Sequence, residues 1–161
     1  MTIKVGDRVP AVKFKVLKDG DVAEVDLAEL SKGTKIAIFG LPGAYTPTCS
    51  AQHVPSYLKN TEALKTKGVA AIACVSVNDA WVMSAWGKDQ KVGSAIMMLA
   101  DGNGEFARAT GLTLDARGYG LGERSTRFSM VVENGVVKAL NVEKNPGEMT
   151  NTSAEAMLKQ L

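Results

Sequence analysis

The 161-residue sequence predicts an α/β fold, a mixed central sheet flanked by helices. The first observation is a strand–helix–strand unit, in which two apolar runs flank a stretch of helical periodicity, at residues 35–39, 48–67 and 69–77. The second is the nearly continuous apolar character of 69–77, which is typical of a strand buried on both faces. The third is Asn134-Gly135 between two β-prone runs, the strongest short signal for an antiparallel hairpin.

The strand–helix–strand unit has recognisable ends. Gly40 and Pro42 close the first strand, and Gly68 follows the last helical residue. Pro55 lies inside the helical stretch, and we expect a kink there because proline cannot donate the helical hydrogen bond. The two strands are therefore predicted to be parallel neighbours joined by a right-handed crossover.

The second half of the chain continues the alternation. Asn78 or Asp79 is predicted to cap a helix that reaches about residue 89. A strand is predicted at 96–100 and a short helix at 104–110, before Gly111. The hairpin strands lie at 128–133 and 136–142, and a final helix starts near Ser153. This order resembles a thioredoxin-like sheet with insertions at the N-terminus and in the middle, in a single domain over residues 1–161.

Composition excludes several classes of function. The net charge of +2 comes from 19 basic and 17 acidic residues spread along the chain, so no basic stripe suggests a nucleic-acid partner. No apolar run approaches the ~20 residues that span a bilayer, so no membrane association is expected. The N-terminal residues are charged where a signal peptide would be apolar, which predicts a cytoplasmic protein. Two cysteines are too few for a disulfide scaffold and lack metal-ligand spacing, so we expect no metal and no bound cofactor.

Chemistry concentrates in the loop PGAYTPTC, residues 42–49, between the first strand and its helix. This position at the carboxyl end of a strand is where open α/β sheets place their sites. Cys49 falls in the first helical turn, where unpaired N–H groups and the helix dipole favour the thiolate. Thr46, three residues earlier, can place its hydroxyl beside the sulfur. Cys49 is therefore a candidate nucleophile.

The spacing Pro-x-x-x-Thr-x-x-Cys is the signature of the peroxiredoxins, and this sequence closely resembles their type II group. Within the loop, Tyr45 is the only departure, since the group has phenylalanine there. The resemblance extends in register over nearly the whole chain, through residues 3–7, 74–79, 86–87, 99–101, 127–132 and 134–143. The resemblance implies a thioredoxin-like fold and reduction of hydrogen peroxide and small alkyl hydroperoxides.

The resemblance also implies a role for each site residue. Cys49 attacks the terminal peroxide oxygen and becomes a sulfenic acid. Thr46 binds the peroxide oxygens, and Pro42 walls the pocket and shields the sulfur from water. Arg127 lies near the sulfur in the folded sheet, stabilises the thiolate and polarises the O–O bond. Arg124 is a close competitor but lies outside the family motif.

Three other residues carry weaker hypotheses. His53 is the only histidine and follows Cys49 by one helical turn, so a Cys–His pair is conceivable. The family assigns no base to this position, and we expect His53 to pack or hydrogen-bond on its helix. Trp81 and Trp86 are expected to be core residues or pocket walls.

The resemblance leaves the recycling of the sulfenic acid open. Atypical two-cysteine members carry a resolving cysteine in the segment that matches 149–152, but Asn151 stands there in this chain. Cys74, near the end of a buried strand, is better read as structural than as a resolving thiol. We therefore expect an external reductant, glutathione with glutaredoxin first and thioredoxin second.

Partners and alternatives complete the prediction. The type II group implies a homodimer, with Tyr119 and Leu121 near its contact. The glycines at 118–122 follow no strand and lack a lysine–hydroxyl pair, so a phosphate loop is rejected. A redox-sensing interaction module that uses the same thiol without turnover is the alternative function. A thioredoxin-type disulfide reductase fits poorly because the chain has no Cys-x-x-Cys.

Overall fold

The structure is a computed structural model that describes residues 2–161. Nine strands occur in this range. They are β1 (Lys13–Lys18), β2 (Asp21–Asp26), β3 (Lys35–Leu41), β4 (Val69–Ser76), β5 (Met97–Ala100), β6 (Thr113–Asp115), β7 (Glu123–Ser125), β8 (Phe128–Glu133) and β9 (Val136–Val142). The α-helices are α1 (Leu27–Leu30), α2 (Val54–Lys59), α3 (Thr61–Thr66), α4 (Ala80–Asp89), α5 (Glu105–Thr110) and α6 (Ala154–Leu158). A π-helical turn (Cys49–His53) precedes α2, and a 3₁₀ turn (Arg117–Tyr119) precedes β7.

Seven strands form one sheet in the order β2-β1-β5-β4-β3-β8-β9. β3, β4 and β5 are parallel, whereas β8 is antiparallel to both β3 and β9. The sheet is thus mixed and flanked by helices, which confirms the predicted thioredoxin-like fold. β8 runs antiparallel to β3, so the start of β8 lies beside the end of β3.

The core has two layers, one on each face of the sheet. Alternate side chains of β3 enter opposite layers, with Ala37 and Phe39 in one and Ile36 and Ile38 in the other. All four side chains are fully buried. The continuous apolar runs of the sequence therefore mark strands covered on both sides, as predicted.

The hairpin and the helix caps agree with the sequence. Asn134 and Gly135 have φ values of 51° and 79°, the left-handed conformation that a two-residue hairpin turn of this type requires. Asp79 accepts a hydrogen bond from the backbone N–H of Val82 at 2.8 Å and caps α4. Ser153 caps α6 in the same way, through Ala156.

The expected kink at Pro55 takes a different form. Pro55 lies in the first turn of α2, and the irregularity comes before it, as a π-helical turn in which the Val54 N–H donates to the Cys49 carbonyl. Proline has no N–H for the carbonyl four residues earlier, and the widened turn accommodates this loss. A second break follows at Asn60, between α2 and α3.

Two hairpins were not predicted individually. β1 and β2 add an edge to the sheet, and β6 and β7 form a separate two-stranded ribbon. Asp19-Gly20 joins β1 to β2 with φ values of 51° and 85°, so an Asp-Gly turn signal was present in the sequence. These are the N-terminal and central insertions. No helix in the described part of the chain is long and apolar enough to cross a bilayer.

Candidate active site

The loop that follows β3 leads directly into the helix that carries Cys49. Pro42 to Thr46 cross the edge of the sheet, and the Ser50 N–H donates to the Thr46 carbonyl at 3.0 Å, which starts the helical hydrogen bonding. Pro47 is thus the first residue of the helix, a position where the N–H that proline lacks would have no helical acceptor. Cys49 lies in the first turn, as predicted, and its side chain is fully buried.

Arg127 is the residue that the tertiary structure brings to Cys49. Its Nη2 donates to Cys49 Sγ at 3.1 Å, although the two residues are separated by 78 positions in the chain. Phe128, the next residue, pairs with Gly40 at the end of β3, so the strand pairing places Arg127 beside the loop. The predicted proximity of Arg127 to the thiol is therefore present.

The Arg127 guanidinium is buried without a carboxylate partner. Arg127 is 1% exposed, and none of the five ion pairs formed among residues 2–161 involves it. Its other two nitrogens also form hydrogen bonds: Nε donates to the Pro146 carbonyl and Nη1 to His53, both at 2.9 Å. A buried cation needs an anion or strong dipoles around it, and the Cys49 sulfur is the one acceptor here that can become an anion. The buried guanidinium therefore faces the Cys49 sulfur directly.

His53 orients Arg127 and does not contact Cys49 as a base. Its Nε2 lies 3.0 Å from the Thr152 carbonyl, which can only accept, so Nε2 carries the proton. Nδ1 is then unprotonated and accepts from Arg127. Burial, with the charge of Arg127 in second place, lowers the pKa of His53 from 6.5 to about 3. Both ring nitrogens are occupied, and the ring stays neutral at physiological pH.

Thr46 has its hydroxyl direction set by the loop itself. Its Oγ1 donates to the Gly43 carbonyl at 2.6 Å. The lone pairs of this oxygen are then free to accept a hydrogen bond from a donor such as a hydroperoxide O–H. Thr46, Pro42 and Arg127 line one pocket of about 510 Å³, whose apolar rim includes Leu121. A larger pocket of about 670 Å³ between β1, β2 and α4 contains none of the predicted site residues.

Arg124 supports the loop and does not touch the thiol. Its Nε donates to the Leu121 carbonyl at 2.9 Å and its Nη1 to the Pro42 carbonyl at 3.3 Å. Gly43 allows this approach, because a Cβ there would lie 2.9 Å from Arg124 Nη1. Of the two candidate arginines, only Arg127 therefore reaches Cys49.

The second cysteine and the tryptophans occupy different environments. Cys74 is fully buried on β4, both cysteines are free, and burial raises the pKa of the Cys74 thiol well above its ordinary value. Trp86 is buried and donates to Ser50 Oγ at 3.1 Å, in the π-helical turn that begins at Cys49. Trp81 is 63% exposed and lines a pocket beside β1 and β2, so it is a pocket wall and not a core residue.

The sequence analysis missed the residues that hold Arg127 and His53 in place. The acceptors are the backbone carbonyls of Pro146 and Thr152, in the segment between β9 and α6. A backbone carbonyl has no signature in the sequence, because every residue carries one. Glu143, the last residue of the segment 134–143 that resembles the type II group, is a buried carboxylate to which no role was assigned.

Known proteins share this fold and resemble this sequence over nearly its whole length. A model of the redoxin family matches residues 4–158. Peroxiredoxin-2E, chloroplastic, from Arabidopsis thaliana is 47% identical over 99% of this chain and 70% of its own length. Peroxiredoxin-2D from the same plant is 44% identical, over 99% of this chain and 98% of its own. The solved structure of reduced Prx3 from Vibrio vulnificus in complex with H2O2 has a TM-score of 0.92 and 43% identity, over 98% of each chain.

The loop, the buried Cys49–Arg127 contact and these relatives point to one family. The match covers the whole fold and includes the segment that carries the thiol. The chain therefore belongs to the peroxiredoxins, in the type II group, and is a thiol-dependent peroxidase.

Proposed function

We propose that Cys49 is the peroxidatic residue, acting on hydrogen peroxide and small alkyl hydroperoxides. The Cys49 thiolate attacks the terminal oxygen of the hydroperoxide, and the electron pair of the O–O bond leaves with the alkoxide. The alkoxide takes a proton to give alcohol or water, and the sulfur becomes a sulfenic acid. The observation that carries this proposal is the 3.1 Å hydrogen bond to Cys49 Sγ from a buried guanidinium that has no carboxylate partner among residues 2–161.

Three side chains have proposed roles around this step. Arg127 stabilises the thiolate and then the charge that develops on the peroxide oxygens. Thr46 accepts a hydrogen bond from the hydroperoxide O–H, because its own O–H already donates a hydrogen bond to the Gly43 carbonyl. Pro42 walls the pocket beside them. The apolar rim of the pocket supports alkyl hydroperoxides as substrates, and the Vibrio vulnificus relative was solved in complex with H2O2.

An external thiol is the proposed reductant, with no bound cofactor. Cys74, the other cysteine of the chain, is fully buried on a central strand, and its raised thiol pKa makes it a poor nucleophile at neutral pH. Glutathione would attack the sulfenic acid, releasing water and forming a mixed disulfide that glutaredoxin reduces with a second thiol. Thioredoxin is the second candidate. These reductants operate in a reducing compartment, which supports the proposed cytoplasmic setting.

Steady-state peroxide consumption tests this proposal. Wild type, Cys74→Ser and Cys49→Ser are compared with glutathione and glutaredoxin, and separately with thioredoxin and its reductase. We expect turnover with the first system by wild type and Cys74→Ser, and none by Cys49→Ser. Turnover by Cys49→Ser would refute the assignment of the thiol. A single oxidation without turnover in either system would favour the redox-sensing alternative.

A homodimer is proposed from the exposed aromatic side chains around the site. Tyr45 and Tyr119 are 53% and 88% exposed, and large aromatic side chains left uncovered are typical of a surface that a partner covers. Tyr45 belongs to the catalytic loop, and Tyr119 lines the pocket beside it. Light scattering on the wild type is expected to give the mass of a dimer. Tyr119→Asp should shift the protein toward the 17.0 kDa monomer, and a monomeric wild type would refute the proposal.

A further inference from the structure

Glu143 is a buried carboxylate with more hydrogen bonds than any other side chain discussed above. It follows the last residue of β9 and is 4% exposed. Its two oxygens accept from the N–H groups of Thr150, Asn151 and Thr152, at 2.8–2.9 Å. They also accept from the hydroxyls of Thr150 and Thr152, at 2.6 and 2.7 Å. Burial acts to raise its pKa, but these hydrogen bonds outweigh burial and the pKa is lowered.

These hydrogen bonds close the segment 143–152 into a loop. The carboxylate stands at one end of the segment and its five donors stand at the other. The Glu143 N–H also donates to the Arg127 carbonyl at 3.0 Å, which ties this end of the segment to the residue that contacts the thiol. One side chain therefore holds the two ends of this segment together.

The closed loop presents three backbone carbonyls to the active site. The Pro146 carbonyl accepts from Arg127 Nε at 2.9 Å, and the Gly147 carbonyl accepts from Thr48 Oγ1 at 2.7 Å. The Thr152 carbonyl accepts from His53 Nε2 at 3.0 Å and from the Tyr57 hydroxyl at 3.2 Å. His53 in turn accepts from Arg127. Two of the three guanidinium nitrogens of Arg127 are thus held through this loop, and the third donates to Cys49.

We propose that Glu143 is a positioning residue for peroxide reduction, acting through the Thr152 carbonyl, His53 and Arg127 on Cys49. This inference rests on the proposed role of Cys49. Without the carboxylate, three backbone N–H groups and two hydroxyls lose their acceptor, and the Thr152 and Pro146 carbonyls lose their fixed positions. The guanidinium would then be free to leave its position beside the sulfur.

The test is the second-order rate at which hydrogen peroxide oxidises Cys49 in a single turnover, which needs no reductant. Glu143→Gln keeps the size of the side chain but points an amide donor at other donors. We expect its rate to fall roughly tenfold or more, since a small displacement of a catalytic group has effects of this size. Glu148→Gln is the matched control: its exposed side chain lies in the same segment and makes no hydrogen bond among residues 2–161, so its rate should equal that of the wild type.

A double-mutant cycle separates positioning from general destabilisation. In a His53→Gln background, Glu143→Gln should lower the rate less than in the wild type, because the path through the Thr152 carbonyl and His53 to Arg127 is already broken. Equal fold losses in both backgrounds, or an unchanged rate in folded Glu143→Gln, would overturn the inference. If Glu143→Gln does not fold, Thr152→Val removes one hydroxyl donor and should lower the rate in the same direction. A wild-type rate in that variant would also overturn it.

The failure of this inference differs from the failure of the proposed function. Mass spectrometry of the wild type after one peroxide turnover shows whether Cys49 is the oxidised residue. An unoxidised Cys49 would refute the role of the thiol, and Glu143 with it. A wild-type rate of Cys49 oxidation in both Glu143→Gln and Thr152→Val would refute only the role of Glu143.

Discussion

Arg127 and His53 are joined by a 2.9 Å hydrogen bond in which the guanidinium donates to Nδ1 of a neutral imidazole. The histidine can accept because its other nitrogen donates to the Thr152 carbonyl. This pairing turns one edge of the guanidinium toward Cys49 Sγ, 3.1 Å from Nη2. The single histidine of the chain thus accepts from the guanidinium that donates to Cys49 Sγ. Among residues 2–161 it forms no hydrogen bond with the thiol itself.

Arg127→Lys is expected to lower the rate of Cys49 oxidation by hydrogen peroxide by about 10²–10³, the usual effect of removing one preorganised donor to a developing charge. Lysine keeps the positive charge but cannot donate to Cys49, His53 and Pro146 from one planar group. Stopped-flow measurement of the single-turnover rate checks this. Arg117→Lys is the control, because Arg117 is exposed and paired with Asp115. A near-normal rate for Arg127→Lys would mean that charge alone is sufficient.

Thr46→Val should slow the oxidation of Cys49 by hydrogen peroxide by at least about tenfold. The variant removes the hydrogen-bond acceptor for the hydroperoxide O–H while keeping the shape of the side chain. Thr46→Ser retains the hydroxyl and the donation to the Gly43 carbonyl, so most of the rate should remain. The ratio of the two single-turnover rates is the measurement. Similar losses in both variants would argue that the methyl group, and not the hydroxyl, matters.

Mild acid should destabilise the fold through His53. The folded pKa of His53 is about 3 and the ordinary value is 6.5, so between these values the unfolded chain binds a proton that the folded chain does not. The free energy of unfolding should therefore fall as pH falls below 6.5, by about 1 kcal/mol between pH 7 and pH 5.5. Urea titrations at the two pH values measure this. His53→Gln should lack most of the difference, and an equal difference in the variant would place its origin elsewhere.

Gly40→Ala should destabilise the protein by about 2–3 kcal/mol, as expected when an atom is forced into a packed core. A Cβ at Gly40 would overlap the Phe128 ring, which is buried. Gly118→Ala is the control, since a Cβ there meets no atom within 4 Å. Denaturant unfolding of the two variants compares them. Equal midpoints would show that the Phe128 ring adjusts at little cost.

Several parts of the fold were predictable because their causes are local. The turn at Asn134-Gly135 needs two left-handed residues, and Asp79 caps the helix that follows it, so neighbouring residues suffice to indicate both. The edge hairpin at Asp19-Gly20 carried the same kind of signal and was missed. The exposure of Trp81 was not predictable in this way. Two tryptophans on one helix differ only in which of them faces the sheet.

The thiol and its loop were predictable from the amino-acid sequence, because Pro42, Thr46 and Cys49 lie within eight consecutive residues whose turn and helix start are set by local chemistry. The surroundings of the sulfur depend instead on long-range contacts. The antiparallel pairing of β3 with β8 carries Arg127 across 78 positions to Cys49. The closed segment after β9 supplies backbone carbonyls that turn His53 toward Arg127. Strand pairing and backbone acceptors depend on the whole fold, and no residue type marks them in advance.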